Sequence, residues 1–257
     1  MGETMQLILT APPDRARQAA AFGLPVGHMA YRVGPRGHLH RANMPISLRG
    51  GLMVADSTGF DGQGEPQVLC QEVIRECGAR GFDGVMLDFE GQPVPWLQQF
   101  TTRLGELLGR RGWPLYVNEA YGDCTPYARV VIPSALSGGA LSKRLEEAVE
   151  RWGRGRVTLG IQRSAEDFPL PAPGGSGTPL TREQLHQCMD EREPSVFFSS
   201  ELCAHYFTYM DKKGGAHFVI FDDAGSIRKK LHMARTMGLP AAILAWPEVD
   251  DILENLL

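Results

Sequence analysis

The residues best placed to do chemistry lie in the stretch Gly81-Phe82-Asp83-Gly84-Val85-Met86-Leu87-Asp88-Phe89-Glu90-Gly91. Val85, Leu87 and Phe89 are apolar and alternate with Met86, Asp88 and Glu90, so in an extended strand the two sets occupy opposite faces. Successive same-face residues on a strand are roughly 6 to 7 Å apart. Asp88 and Glu90 can therefore meet one substrate group together. Acids set in an apolar run cost free energy unless they are paired or used. Two carboxylates in unlike surroundings can divide the work, one donating a proton and the other staying ionised to stabilise positive charge. The plain alternative is a structural acid pair, salt-bridged at a strand end.

The elements that must position these acids alternate along the chain. Short apolar runs begin at Gln6, Val26, Gly51, Asp83, Leu115, Arg129, Val157 and Ala241. Most are followed by a helical pattern, as at 14–22, 66–80, 96–108, 140–152 and 227–237, where apolar residues recur near a period of 3.6. Gly112 is where the cap of the 96–108 helix would fall. Eight strand–helix units predict a (β/α)8 TIM barrel, an α/β fold. A doubly wound dinucleotide sheet would need a glycine-rich turn after the first strand, and Ala11-Pro12-Pro13 is not one. The seventh unit is interrupted. Residues 168–179 are rich in Pro, Gly and Ser and read as a loop, Thr181 and Gln184 form a capping-box pair, and 196–198 and 205–209 read as small antiparallel strands. The chain is thus expected to be a single barrel domain, 1–257, with a small α+β insertion at 165–216 between strand 7 and helix 7. In a barrel the chemistry sits where strands end. Those ends carry Asp56, Glu90, Glu119 and Trp246.

Composition narrows the function classes. The chain has 257 residues, 43% hydrophobic and 22% charged, with a formal net charge of -4. That is enough for a full-sized core, and the mild acidity without a dense Lys/Arg run argues against nucleic acid or an anionic membrane surface as a partner. No apolar run reaches the length of a membrane-spanning helix, and the opening residues do not read as a secretory signal. The five cysteines are scattered without a CxxC pair, which fits a reduced, cytoplasmic setting and indicates neither a disulfide framework nor a zinc site. His28, His38 and His40 lack a defined ligand spacing, so no metal and no cofactor is expected.

The central stretch resembles the DxxDxDxE signature of glycoside hydrolase family 18, the chitinase family. Asp83 matches the first Asp, Asp88 the third and Glu90 the terminal acid, while Met86 stands at the second. A second resemblance lies in Phe221-Asp222-Asp223-Ala224-Gly225-Ser226-Ile227 through Gly238 and on to Trp246, which looks like the family's closing segment. The insertion also falls where family members carry a small α+β subdomain. The resemblance implies a barrel that binds N-acetylglucosamine-containing glycans, of chitin-oligosaccharide or peptidoglycan type, and cleaves them with retention by substrate assistance. Glu90 would then be the general acid. Asp88 would orient the acetamido group and stabilise the oxazolinium-like charge, and Trp246 would form an apolar floor under the reacting sugar.

The departures from the pattern define the alternative. Met86 removes the deeper acid that would hydrogen-bond Asp88, and Val131-Ile132-Pro133-Ser134-Ala135-Leu136-Ser137 lacks the Tyr-Asp pair of the family's sixth strand. Tyr121, Tyr31 or Tyr209 could supply a hydroxyl, and the sequence does not choose among them. Asp83, Tyr121, Glu119, Tyr31 and Asp56 complete the candidate glycan-contacting set. A non-catalytic, chitinase-like glycan-binding barrel is the second hypothesis, and a spore or cell-wall association follows by analogy alone. Trp246 read plainly is core. Asp222 and Asp223 read as acids at a helix N-terminus, and Arg228-Lys229-Lys230 as a solvated face.

Overall fold

The computed structural model describes residues 5–44, 48–136, 138–171 and 177–257. The strands are β1 (Gln6–Ala11), β2 (Val26–Val33), β3 (Leu39–Arg41), β4 (Leu52–Asp56), β5 (Gly84–Asp88), β6 (Leu115–Asn118), β7 (Ala128–Pro133), β8 (Val157–Ile161), β9 (Ala165–Leu170), β10 (Thr178–Pro179), β11 (Phe197–Ser199), β12 (Ala204–Met210), β13 (Ala216–Phe221) and β14 (Ala241–Ala245). The helices are α1 (Ala16–Ala20), α2 (Pro66–Arg80), α3 (Pro95–Gly109), α4 (Leu141–Trp152), α5 (Arg182–Arg192), α6 (Ala224–Thr236) and α7 (Trp246–Val249). Parallel pairing runs β1-β14-β8-β7-β6-β5-β4-β2 and is closed by β1 against β2. This is the expected (β/α)8 barrel, with β3 added antiparallel to the edge of β2.

Period-two alternation sorts the side chains. Inward positions Ile8, Leu52, Val54, Met86, Tyr116, Val131, Ala241 and Ile243 fill the barrel. Outward positions such as Val85 and Leu87 pack beneath α2 and α3 with Leu69, Val73, Phe100 and Leu104. Both faces of the strands are thus covered, which is why they read as near-continuous apolar runs. The helices begin and end where local chemistry dictates. Pro66 and Pro95 open α2 and α3, where a missing N–H costs nothing. Gly81 closes α2 with φ of 71°, a backbone setting that suits glycine. The cap of α3 is Arg110 rather than Gly112.

A second sheet, β10-β9-β13-β12-β11, is antiparallel throughout and carries α5 on one face through Leu185, Phe207, Val219 and Phe221. The loop expected over 168–179 is only partly one. Ala165–Leu170 is strand β9, paired along its length with β13, because Phe168 meets Phe218 and Glu166 meets Ile220 in register. Residues 172–176 of that stretch, like Ser137, lie outside the described residues. The Thr181–Gln184 capping box is present with both of its hydrogen bonds.

The solvated reading of Lys230 is corrected. Its ammonium is 1% exposed and lies 2.7 Å from Asp222 Oδ2, and that carboxylate is itself fully buried. Ser226 Oγ donates to Asp222 Oδ1 at 2.7 Å and the Ser164 amide to Oδ2 at 2.9 Å. Periodicity placed Lys230 beside two exposed basic residues but could not foresee the buried acid that α6 carries it onto. Of the two acids ahead of α6, Asp223 is the cap, accepting from the Ser226 amide at 2.8 Å. No helix among the described residues is long and apolar enough to cross a membrane.

Candidate active site

The strand ends β5, β6, β7, β8 and β14 surround a cavity of about 590 Å3. Its floor is apolar, formed by Val54, Met86, Val131 and Ile243, which are also barrel-interior residues. Its rim is polar and carries Asp88, Glu90, Asn118, Glu119, Gln162 and Glu248. The strand pleat explains the division. Met86 and Asp88 are successive inward positions on β5, so the thioether lies one layer deeper and the carboxylate emerges at the mouth. Glu90 follows after β5 and is exposed at the same rim.

Asp88 is half-buried and its Oδ1 accepts a hydrogen bond from Asn118 Nδ2 at 3.2 Å. The same amide donates to the Phe89 carbonyl at 3.1 Å. Glu119 reaches the cavity while ion-paired to Arg144 of α4. Glu248 accepts from the Arg163 amide at 3.0 Å. The rim therefore combines four carboxylates with the Asn118 amide and Gln162. The layout suits a polar ring substituent reaching Asp88 and a departing oxygen near Glu90, above an apolar floor for C–H faces.

The expected site residues divide into two groups. Asp88, Glu90 and Glu119 come together on the cavity. The others stand elsewhere. Asp83 precedes β5 at the opposite end of the barrel, exposed, with its amide bonded to the Gly51 carbonyl. Asp56 stands beside Asp88 in the β4–β5 register, but its Oδ1 accepts from the Thr58 amide at 2.7 Å and it does not line the cavity. Tyr31 faces the helix layer and donates to Glu76 Oε1 at 2.9 Å; burial first, and the Glu76 carboxylate second, push its hydroxyl pKa up. Tyr121 is buried with its ring 5.5 Å from Phe89, and burial raises its pKa as well. Trp246 opens α7 and packs 6.1 Å from Phe22, outside the cavity lining. Tyr209 donates to Asp167 within the second sheet. None of the three candidate tyrosines reaches Asp88; its partner is Asn118.

The sequence reading passed over Asn118, Gln162 and Glu248. Asn118 carried a usable signal, being the last residue of an apolar barrel strand and on the same parity as the buried Tyr116. Gln162 and Glu248 carried none, because Gln162 sits in the short connection after β8 and Glu248 in the one-turn helix α7, and only the packed chain sets where either points. The three histidines disperse: His28 is buried with Nε2 3.1 Å from the Gly50 carbonyl, and His38 pairs with Glu72. Among the described residues no three His, Cys, Asp or Glu side chains gather as a metal site requires.

No family profile matches the chain. It is 22% identical over 206 residues to the cortical fragment-lytic enzyme of Bacillus subtilis, a match covering 66% of this chain and 48% of that protein. The chain thus spans about half the length of this curated relative. Among solved structures, the spore cortex-lytic enzyme of Bacillus cereus superposes with a TM-score of 0.70 at 15% identity, over 100% of this chain and 74% of that one. A chitinase from Chromobacterium violaceum superposes with a TM-score of 0.69 at 17% identity, covering 97% of each chain. The chain is a (β/α)8 barrel of the fold found in chitinases and spore cortex-lytic enzymes, the fold that its resemblance to glycoside hydrolase family 18 implies.

Proposed function

We propose that this protein is a glycoside hydrolase acting on N-acetylglucosamine-containing glycans by a retaining, substrate-assisted mechanism. The observation that carries the reading is the meeting of Asp88 and Glu90 at the mouth of one apolar-floored cavity at the strand ends. Glu90 gives its proton to the glycosidic oxygen as that bond breaks. The substrate's own acetamido oxygen attacks the anomeric carbon from the other face, and the Asp88 carboxylate steadies the positive oxazolinium-like ring so formed. Water then opens that ring, and Glu90 takes back a proton as the base. The apolar floor of Met86, Val54, Val131 and Ile243 suits the C–H face of a pyranose.

The names of the relatives support a wall-type glycan as well as chitin, and with it a spore or cell-wall setting. Purified protein incubated with chitin oligosaccharides and with peptidoglycan fragments is expected to release reducing ends. Glu90→Gln is expected to lower that rate about 100- to 10,000-fold, the usual contribution of a general acid. Turnover that survives Glu90→Gln would sink the reading.

A second reading is a binding barrel without turnover, favoured by the apolar Met86 beneath Asp88 and by the absence of a Tyr-Asp pair on β7. It expects calorimetric binding of the same glycans with no product. Turnover that depends on Glu90 eliminates it.

A further inference from the structure

We propose that Asn118 is the positioning residue for Asp88, holding its carboxylate laterally from the neighbouring strand because nothing below it can. The inference rests on the hydrolase reading and adds to it a residue that the motif does not contain. Three observations support it.

First, the position beneath Asp88 on the same inward face is Met86, whose thioether is at most a weak acceptor and offers no donor. Met86 is 8% exposed and belongs to the apolar interior layer, so the side chain beneath Asp88 supplies no donor.

Second, β5 and β6 are in register at Leu87 and Val117, which sets Asn118 beside Asp88 at the rim. Its Nδ2 reaches two oxygens, Asp88 Oδ1 at 3.2 Å and the Phe89 carbonyl at 3.1 Å. Both neighbours are acceptors, so the amide must turn its NH2 toward them, since the flipped amide would oppose lone pairs. With both N–H groups engaged on atoms one residue apart, the planar amide is locked. It fixes Asp88 relative to the backbone that leads into Glu90.

Third, the other charged groups nearby do not compete for this duty. Asp56, in register on β4, is an acid whose Oδ1 is taken by the Thr58 amide. Glu90 is an acid, Glu119 is occupied by Arg144, and Glu248 takes the Arg163 amide. Among the described residues Asn118 is the one side-chain donor to Asp88.

A carboxylate that must stabilise charge on a substrate has to be held within a fraction of an ångström, and a displacement of about 1 Å can cost about 100-fold in rate. Asn118→Ala is therefore expected to lower kcat about 10- to 100-fold, with KM for a chitin or peptidoglycan oligosaccharide changed less than about twofold, because Asn118 acts on Asp88 and not on the sugar. Asn118→Asp keeps the shape but replaces the donor with an acid. It is expected to lose more than Asn118→Ala near neutral pH and to recover as pH falls, when the introduced carboxyl takes up a proton and can donate again. A purely structural role would lower the Tm of both variants and leave no such acid recovery. Wild-type kcat in Asn118→Ala, or a loss confined to KM and Tm, overturns the inference while leaving the hydrolase reading intact. A wild-type protein that turns over none of these glycans overturns both.

Discussion

Two aspartates at strand ends have met opposite fates. Asp222 at the end of β13 is 1% exposed, and its carboxylate takes three donors, the Lys230 ammonium, the Ser226 hydroxyl and the Ser164 amide. Asp88 at the end of β5 is half-buried with one amide donor, and it faces a cavity. A carboxylate has about four acceptor positions. Where the protein fills most of them the acid is part of the scaffold; where it leaves most of them open over a cavity, the acid is available to a ligand. The Asp222 pair also sits where the second sheet meets the barrel, because the Asp222 carbonyl accepts from Arg163 Nε at 3.3 Å and Arg163 bonds Asp251 beyond α7. One acid holds the architecture and the other is free to act.

Substitutions at the two sites should separate these roles. The largest expected effect is on turnover at the mouth. Asp88→Asn should cost at least 100-fold in kcat, by analogy of magnitude with the loss of a preorganised electrostatic group, yet move the denaturant midpoint little. If Asp88→Asn instead unfolded the protein, the contrast would collapse. The next effect is on stability at the junction. Lys230→Ala strands a buried carboxylate and should lower the unfolding free energy by about 3 to 5 kcal/mol, measured by urea denaturation. A loss under about 1 kcal/mol would mean that Asp222 is served well enough by its two serine donors.

Smaller effects lie farther out. Thr181→Ala removes the cap of α5 and should cost about 1 kcal/mol, sensed by hydrogen exchange in 182–192 before it affects the barrel. The pH dependence of stability has a defined sign at Asp251. Burial works to raise its pKa, but the Arg163 hydrogen bond and charge, helped by Arg182, outweigh burial and hold it below the ordinary carboxylate range. A folded pKa below the unfolded one contributes stability at neutral pH that is lost as pH falls from about 4 through the lower folded value. Asp251→Asn should therefore flatten the acid limb of the stability curve slightly. The thiols give the mildest test: burial pushes Cys70 and Cys77 up to about 12, so a thiol reagent at neutral pH should modify the half-buried Cys124 and Cys188 first.

The barrel was legible in the sequence because it rests on local signals. Eight apolar runs of strand length and the helical patterns at 66–80, 96–108 and 140–152 each report a backbone preference or a burial pattern carried by neighbouring residues. Asp88 and Glu90 were legible for the same reason, since strand parity alone sets them near one another. Residue 230 shows where such signals stop. Arg228 and Lys229 just before it are solvated, and only the approach of α6 to the end of β13 brings it onto a buried acid.

The distant candidates divide in the same way. Tyr31 and Tyr121 were named by residue type and Trp246 by its place at the end of the last strand, and the pleat and the helix docking that aim their side chains at Glu76, Phe89 and Phe22 are properties of the packed barrel. By itself the sequence determined the fold class, the strand that bears the acids and a methionine at position 86, where the motif it resembles has an acid. Only the tertiary structure decided what holds Asp88, because Asn118 is 30 residues away along the chain and meets it through the register of two parallel strands. That register is set by closure of the barrel, to which every strand contributes, so no local stretch of sequence encodes the contact.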